Sequence, residues 1–392
     1  MAKNMNNFDK ETNRFNISSL KWNVKENELP MWVADMDFLC PDAIYQALLE
    51  RLNNKTYGYS IIPDSLYDSY MNFYRDRHHL SFAKENMLFS SGVIPSTSSI
   101  IRRITAPGEN IILMTPVYNI FFNSIVNNGR FISEVPLKYE NYKYDIDFCL
   151  LEEKLAEYRT NLLILCNPHN PIGKIWSKEE LAKIATLAKK HNVYVISDEI
   201  HCDLTNPNKE YVPFFNSCSE AKEIGISLIS PTKSFNLAGL QTSMIIVFNQ
   251  YLYNKINRGI NNDEIAEPNF LACVATEVAY NQCRDYLDDL RKYIFSNREI
   301  VKNYFEQHIK EIQLIDGEAT YLLWIDCSQI THKNSKLLAQ HIRNTTGLYL
   351  SEGSQYGSCG KTFLRMNIAT QKFRVLDGLE RLKEGIRSYK ES

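Results

Sequence analysis

Charge of neither sign dominates this chain. Its 44 lysines and arginines stand against 46 aspartates and glutamates, a formal net charge of −2, so no global field draws it to nucleic acid or to an anionic membrane. Lysine runs are short and interleaved with acids, as on solvated helix faces. Long hydrophobic runs are missing too: the longest are strand-sized, well below the length that spans a bilayer. Residues 1–14 are polar and charged, with no apolar stretch of signal-peptide length. Nine cysteines, at 40, 149, 166, 202, 218, 273, 283, 327 and 359, are odd in number and never form a Cys-x-x-Cys pair. That pattern excludes a disulfide framework and offers zinc no ligand pair. The expectation is a cytoplasmic protein in a reducing compartment, with no nucleic-acid, membrane or metal partner. Internal repeats and low-complexity tracts are also absent.

What is present is the composition of a soluble globular protein, 44% hydrophobic and 23% charged. At 392 residues the chain is too long for one ordinary core, which predicts two domains. Residues 1–45 read as an N-terminal arm that packs on something else. Helical spacing follows over 42–52, with Pro41 just before it, and over 65–77; between them Tyr57-Gly58-Tyr59 reads as a turn rich in exposed aromatics. From residue 87 strands and helices alternate. Strands are predicted over 87–90, 110–114, 131–136, 162–166, 193–197, 224–229 and 244–248. Ser177 with Glu180 forms a capping-box signature that opens a helix to Lys190. This rhythm predicts an α/β fold, a largely parallel sheet covered by helices on both faces. Beyond residue 249 long helices over 270–280 and 286–308 lead to strand, helix, strand and a terminal helix over 375–389. That is a smaller α/β unit, placed at 284–392, beside a large unit at 46–283. Residues 254–269 and 351–361 read as loops.

In open parallel sheets ligands sit outside the carboxyl ends of the strands. Several strands here end in polar, turn-forming residues: Ser91-Gly92-Val93, Asn167-Pro168-His169-Asn170, Asp198-Glu199-Ile200-His201 and Ser230-Pro231-Thr232-Lys233. Singly, each has an ordinary explanation. Asn-Pro starts turns, Asp198 suits a helix cap, His201 a core histidine, and Lys233 a solvated loop. Together they bring a lysine, a carboxylate and a Gly/Ser-rich helix start to one edge. A lysine between apolar strands is easier to deprotonate and suits a Schiff base. A carboxylate keeps a pyridine nitrogen protonated, and backbone N–H groups at a helix start hold a phosphate. These are the parts that pyridoxal 5'-phosphate requires.

The motifs Met31-Trp32-Val33-Ala34-Asp35-Met36-Asp37-Phe38, Tyr57-Gly58-Tyr59, Asn167-Pro168-His169-Asn170-Pro171-Ile172-Gly173, Ser197-Asp198-Glu199-Ile200-His201, Lys233-Ser234-Phe235-Asn236-Leu237-Ala238-Gly239-Leu240 and Phe363-Leu364-Arg365-Met366-Asn367-Ile368-Ala369 span nearly the whole chain in order. With them the chain resembles fold-type I pyridoxal phosphate enzymes of the class I/II aminotransferase superfamily. Within it, the first motif and His169 resemble the MalY/PatB-type cystathionine β-lyases, also called cysteine-S-conjugate β-lyases. The resemblance implies a seven-stranded-type, mostly parallel sheet with a smaller C-terminal α/β domain, and a homodimer with active sites at the interface.

It also implies roles. Lys233 is the Schiff-base lysine and later the base for the substrate's α-proton. Asp198 pairs with the pyridine nitrogen, Asn170 and His201 with the ring's phenolic oxygen, and Tyr118 stacks on the ring. Gly92, Val93, Ser230 and Thr232 hold the phosphate, with Tyr57 reaching across from a second subunit. Arg365, with Asn170, grips the substrate carboxylate. Gln241 stands where many aminotransferases carry a phosphate-binding arginine, and Cys202 reads as packing. The implied reaction is α,β-elimination from S-substituted L-cysteines to a thiol, pyruvate and ammonia. Two other readings stand beside it, an aminotransferase and a regulatory partner-binding protein with residual enzyme activity.

Overall fold

The computed structural model describes residues 7–331 and 334–391; the first six residues of the expected arm, residues 332–333 within the smaller unit and the last residue lie outside that range. Seven strands make the larger sheet: β1 (Met87–Ser90), β2 (Asn110–Thr115), β3 (Phe131–Pro136), β4 (Thr160–Cys166), β5 (Tyr194–Asp198), β6 (Gly225–Ile229) and β7 (Ser243–Ile246). They lie in the order β1-β7-β6-β5-β4-β2-β3. All run parallel except β7, which is antiparallel to both its neighbours.

The near-continuous apolar runs have a simple cause. Side chains alternate between faces along a strand, so a strand covered on both sides needs apolar residues at every position. In β4, Leu163 and Leu165 join one apolar cluster while Leu162 and Ile164 join the other. The first cluster is closed by the helix Lys178–Lys190 through Leu181, Ile184, Ala185 and Ala188. That helix opens with the expected capping box: Ser177 Oγ accepts from Glu180 N at 3.1 Å, and the Glu180 carboxylate accepts from Ser177 N at 2.8 Å. The second cluster is closed by helices Val93–Ile104 and Gln250–Asn262. The expectation of a loop over 254–269 is therefore corrected in its first half. Leu252, Ile256 and Ile260 recur every fourth residue and carry one face of a helix into the core.

A second sheet is antiparallel throughout: β8 (Gln313–Leu314), β9 (Leu322–Asp326), β10 (Ser351–Glu352) and β11 (Phe363–Asn367), in the order β8-β9-β11-β10. The expected loop over 351–361 thus begins as a short strand and continues in 3₁₀ turns. The arm is stitched to this region. Leu29–Pro30 pairs in parallel with Leu348–Tyr349, and Met31 O accepts from Asn367 N at 2.8 Å. Its buried charges are matched within the arm: the buried Lys21 ammonium lies 2.7 Å from the buried Asp37 carboxylate, which Trp22 Nε1 also meets at 2.7 Å. The 25-residue helix Arg284–His308 ties the parts together. It reaches the arm through Tyr286 Oη to Leu39 O, and the stretch after β11 through Asn297 Nδ2 to Ile368 O and Thr370 O. No helix among the described residues is long and apolar enough to cross a membrane.

Candidate active site

The carboxyl ends of β1, β4, β5 and β6 converge on a cavity of about 260 Å³. Of the residues singled out from the sequence, Gly92, Val93, Tyr118, Asn170, Asp198, His201, Thr232 and Lys233 all line it.

Lys233 sits on the turn after β6. Its Nζ donates to the main-chain carbonyl of Ala34 at 2.6 Å, so the arm reaches the floor of the cavity. Burial pushes the ammonium pKa down; Asp35 and Asp198 work against that, and Arg365 adds to it. Asp198 ends β5. One carboxylate oxygen accepts from Ile200 N at 3.1 Å, the capping turn its sequence context suits. Among the described residues no cation pairs with it. Burial pushes its carboxyl up to about 7, with Ile200 N and the more distant Lys233 ammonium opposing and Glu199 adding. His201 Nδ1 is buried with no partner among the described residues, and burial beside Lys233 and Arg365 holds the imidazole neutral, its pKa down at about 3.

Asn170 rides on a loop clamped from both ends. His169 N bonds to Lys174 O at 2.8 Å, and Gly173 N to His169 O at 2.7 Å. Gly173 has a φ of +70°, and a Cβ there would meet Ala319 O at 2.7 Å, so only glycine lets the two segments approach. His169 does not line the cavity. Its buried ring lies edge-on to Trp176 and donates Nε2–H to Pro116 O at 2.7 Å, so it struts the Asn170 loop against the loop carrying Tyr118. Tyr118 is held edge-on to Phe121, and burial pushes its phenol up to about 12.

At the opposite end the helix Val93–Ile104 begins. A Cβ at Gly92 would lie 3.3 Å from Pro95 Cδ, so the backbone presents its N–H groups with no side chain in front. Thr232, Thr242 and Gln241 complete this wall. Ser230 is placed differently from the expectation. Its one proton goes to Thr242 O at 2.7 Å, so Thr232 Oγ1 is the donor across the 2.8 Å contact to Ser230 Oγ. Ser230 frames the wall from behind. Tyr57 lies outside the cavity of its own chain: it is 59% exposed, bonds to Leu52 O and packs on Phe270.

Arg365 lies within β11, buried, over the Tyr356 ring at 4.8 Å. Nη2 donates to Trp32 O at 2.8 Å, Nη1 reaches Asn170 Oδ1 at 3.4 Å, and Nε has no partner among the described residues. A buried guanidinium with a free donor is a socket for a carboxylate.

The cluster of His78, Cys202 and Asp203, all within 4.8 Å of one another, lies elsewhere. Its charge is already matched. His78 Nε2 and Ser234 Oγ each hold one Asp203 oxygen at 2.8 Å, Arg77 Nε stands 3.5 Å away, and Cys202 packs against Tyr74 Oη.

The cavity's groups fit pyridoxal 5'-phosphate. An amine stands for the aldehyde and a helix start for the phosphate. A buried carboxylate lacks the cation that a protonated ring nitrogen provides. Sequence reasoning missed Ala34, whose contribution is a main-chain carbonyl, and Tyr321, whose Oη donates to that carbonyl at 3.0 Å. Ala34 stands in the 31–38 motif but with no side chain that signals a role, and Tyr321 lies in none of the motifs.

Comparison with known proteins agrees. Cystathionine β-lyase PatB of Bacillus subtilis is 35% identical over 387 residues, covering 97% of this chain and all of that protein. Protein MalY of Escherichia coli is 29% identical, covering 92% of each. Cystalysin from Treponema denticola, solved with pyridoxal 5'-phosphate, superposes with a TM-score of 0.94 at 31% identity, covering 98% of this chain and 99% of that one. A pyridoxal-phosphate-bound C–S lyase from Staphylococcus hominis gives 0.90 at 29% identity, covering 97% and 98%. Residues 26–381 match the aminotransferase class I and II family, and the chain belongs to it.

Proposed function

We propose that this chain is a pyridoxal 5'-phosphate-dependent carbon–sulfur β-lyase, splitting S-substituted L-cysteines such as cystathionine into a thiol, pyruvate and ammonia. The observation that carries the reading is the Lys233 amine, its pKa lowered by burial, sharing one cavity with a buried Asp198 that has no ion-pair contact among the described residues, in a chain alike end to end with a cystathionine β-lyase and cystalysin.

The bound cofactor supplies an electron sink for the pair left behind when the α-proton is removed. The chain's own residues do the rest. Asp198 holds the ring nitrogen in its protonated form, and the neutral His201, with Asn170, meets the ring oxygen. Tyr118 covers the ring face. The N–H groups at Gly92 and Val93 hold the phosphate, joined by Thr232 once its hydroxyl proton turns from Ser230 Oγ to the phosphate, while Ser230 Oγ still accepts from Thr232 N. Arg365 takes the substrate carboxylate as a fork and Asn170 steadies it. Lys233 anchors the cofactor, and burial, by lowering its pKa, eases the loss of the proton it must shed before accepting the α-proton. The β-sulfur then leaves with the C–S electron pair and takes up a proton to become the thiol, and one water hydrolyses the released aminoacrylate to pyruvate and ammonia.

We assign 1–45 to the arm, 46–283 to the cofactor-binding domain and 284–392 to the small domain. A second copy of the chain is placed against the exposed apolar face of Tyr45, Leu49, Leu52, Tyr57, Tyr59 and Ile61, so that Tyr57 completes the neighbour's phosphate site. The reducing cytoplasm is its working compartment, in keeping with nine free cysteines.

The test is pyruvate release across S-substituted cysteines of increasing bulk, with alanine as the contrasting substrate. Pyruvate from cystathionine supports the lyase. Conversion of the cofactor to its amine form by alanine, with no pyruvate from any thioether, would replace it with a transaminase.

A further inference from the structure

We propose that Tyr321 is a positioning residue for Lys233, acting through the main-chain carbonyl of Ala34, which serves as the docking point of the lysine amine whenever that amine is free. This rests on the reading of Lys233 given above.

Ala34 O accepts from two side chains, Lys233 Nζ at 2.6 Å and Tyr321 Oη at 3.0 Å. A carbonyl has two lone pairs, so both donors fit at once. The peptides on either side of that carbonyl are held still. Asn367 Nδ2 clamps the carbonyls on either side of it, Val33 O at 2.5 Å and Asp35 O at 2.7 Å. Tyr321 is equally fixed: it is fully buried just before β9, Thr320 N bonds to Leu204 O at 2.7 Å, and Ile368 N bonds to Tyr321 O at 2.9 Å. Burial pushes the phenol pKa up, so Oη stays a donor.

The consequence concerns an amine that changes partners. When Lys233 is engaged with the cofactor, Ala34 O, on a partly buried residue of the cavity lining, loses one donor, and a carbonyl covered by cofactor with none is costly. Tyr321 keeps it satisfied, so residues 33–35 have no reason to move. When substrate frees the amine, the same lone pair is waiting. An amine that gives one N–H to Ala34 O turns its own lone pair away from that oxygen, into the cavity, where an α-proton is to be taken. Without the Tyr321 hydroxyl the carbonyl is free to swing and the amine loses its aim.

The test is Tyr321→Phe in the holoenzyme, reading exchange of the α-hydrogen of L-alanine in heavy water by NMR. Alanine affinity and cofactor occupancy are read alongside from the visible spectrum. The expected result is exchange slowed about tenfold, the effect of losing one such hydrogen bond, with affinity and occupancy unchanged. Exchange within about twofold of wild type overturns the proposal. So does a fall that comes with lost alanine affinity or lost cofactor, since the hydroxyl would then serve the pocket as a whole. A wild-type protein without a lysine-linked cofactor band would remove the underlying reading instead, and that is visible before any variant is made.

Discussion

Arg365 and Asn170, 195 residues apart in the chain, meet with Nη1 3.4 Å from Oδ1. The contact joins β11 of the small sheet to the loop after β4 of the large one. In the proposed reading it makes the substrate's carboxylate socket a property of the assembled fold. Replacing the fork by a point charge keeps the sign but loses the bidentate geometry. Arg365→Lys is expected to lower kcat/KM for S-substituted cysteines about 100-fold, mostly through KM. Steady-state kinetics on cystathionine check this; an unchanged KM would detach Arg365 from the carboxylate.

Asp198 is the second test. Its carboxylate is buried with no ion-pair contact among the described residues, and burial, against the opposing charge of Lys233, pushes it up to about 7. A protonated ring nitrogen would supply that missing charge. Asp198→Asn keeps the shape and removes the charge, so the ring loses its proton and much of its electron demand. Elimination should fall by about 10²–10³, with weaker cofactor retention on dialysis. Full activity in Asp198→Asn would place the ring elsewhere.

His169 gives a pH prediction. Burial holds its imidazole down at about 4 against an ordinary value of 6.5. The unfolded chain therefore binds more protons than the folded one between those values, and stability falls as pH drops through that window. The loss amounts to about 3 kcal/mol once pH 4 is reached. In His169→Gln, where an amide still reaches Pro116 O, urea midpoints between pH 6.5 and 4 should fall less steeply than in wild type. Parallel slopes would show that His169 does not titrate against folding.

The arm offers a stability test. Lys21 and Asp37 are both buried and 2.7 Å apart. Burial alone would raise the Asp37 carboxyl, but Lys21, Trp22 and Arg14 hold it below its usual range. Lys21→Ala leaves that carboxylate with less compensation and should cost about 3–5 kcal/mol in denaturant melts. A loss under about 1 kcal/mol would mean that Arg14 alone suffices.

Much of this site was legible in the sequence because strand-end motifs advertise themselves locally. An apolar run followed by Asp198 or Lys233 predicts both the strand and the residue beyond its end. The capping box at Ser177 and Glu180 is likewise a local device, and it forms as read. What stayed hidden depends on distant partners. The Ala34 contribution is a carbonyl, identical in every residue, and only the folded arm brings it to Lys233. Tyr321 looks like any strand aromatic until Ile368 and Leu204 fix its backbone. Ser230 was expected among the phosphate ligands, but its single proton is spent on Thr242 O across β6 and β7, a pairing no spacing reveals. The segment over 254–269 reads as a polar loop because its Asn-rich face outweighs three apolar residues that hold the helix down.

The central claim is that Lys233 anchors the cofactor and moves the α-proton in a β-elimination. Lys233→Ala in protein reconstituted with pyridoxal 5'-phosphate tests it most directly, reading the visible cofactor band and pyruvate release from cystathionine together. The account predicts that wild type shows both and that the variant shows neither. Pyruvate release by Lys233→Ala at a rate near wild type would contradict it.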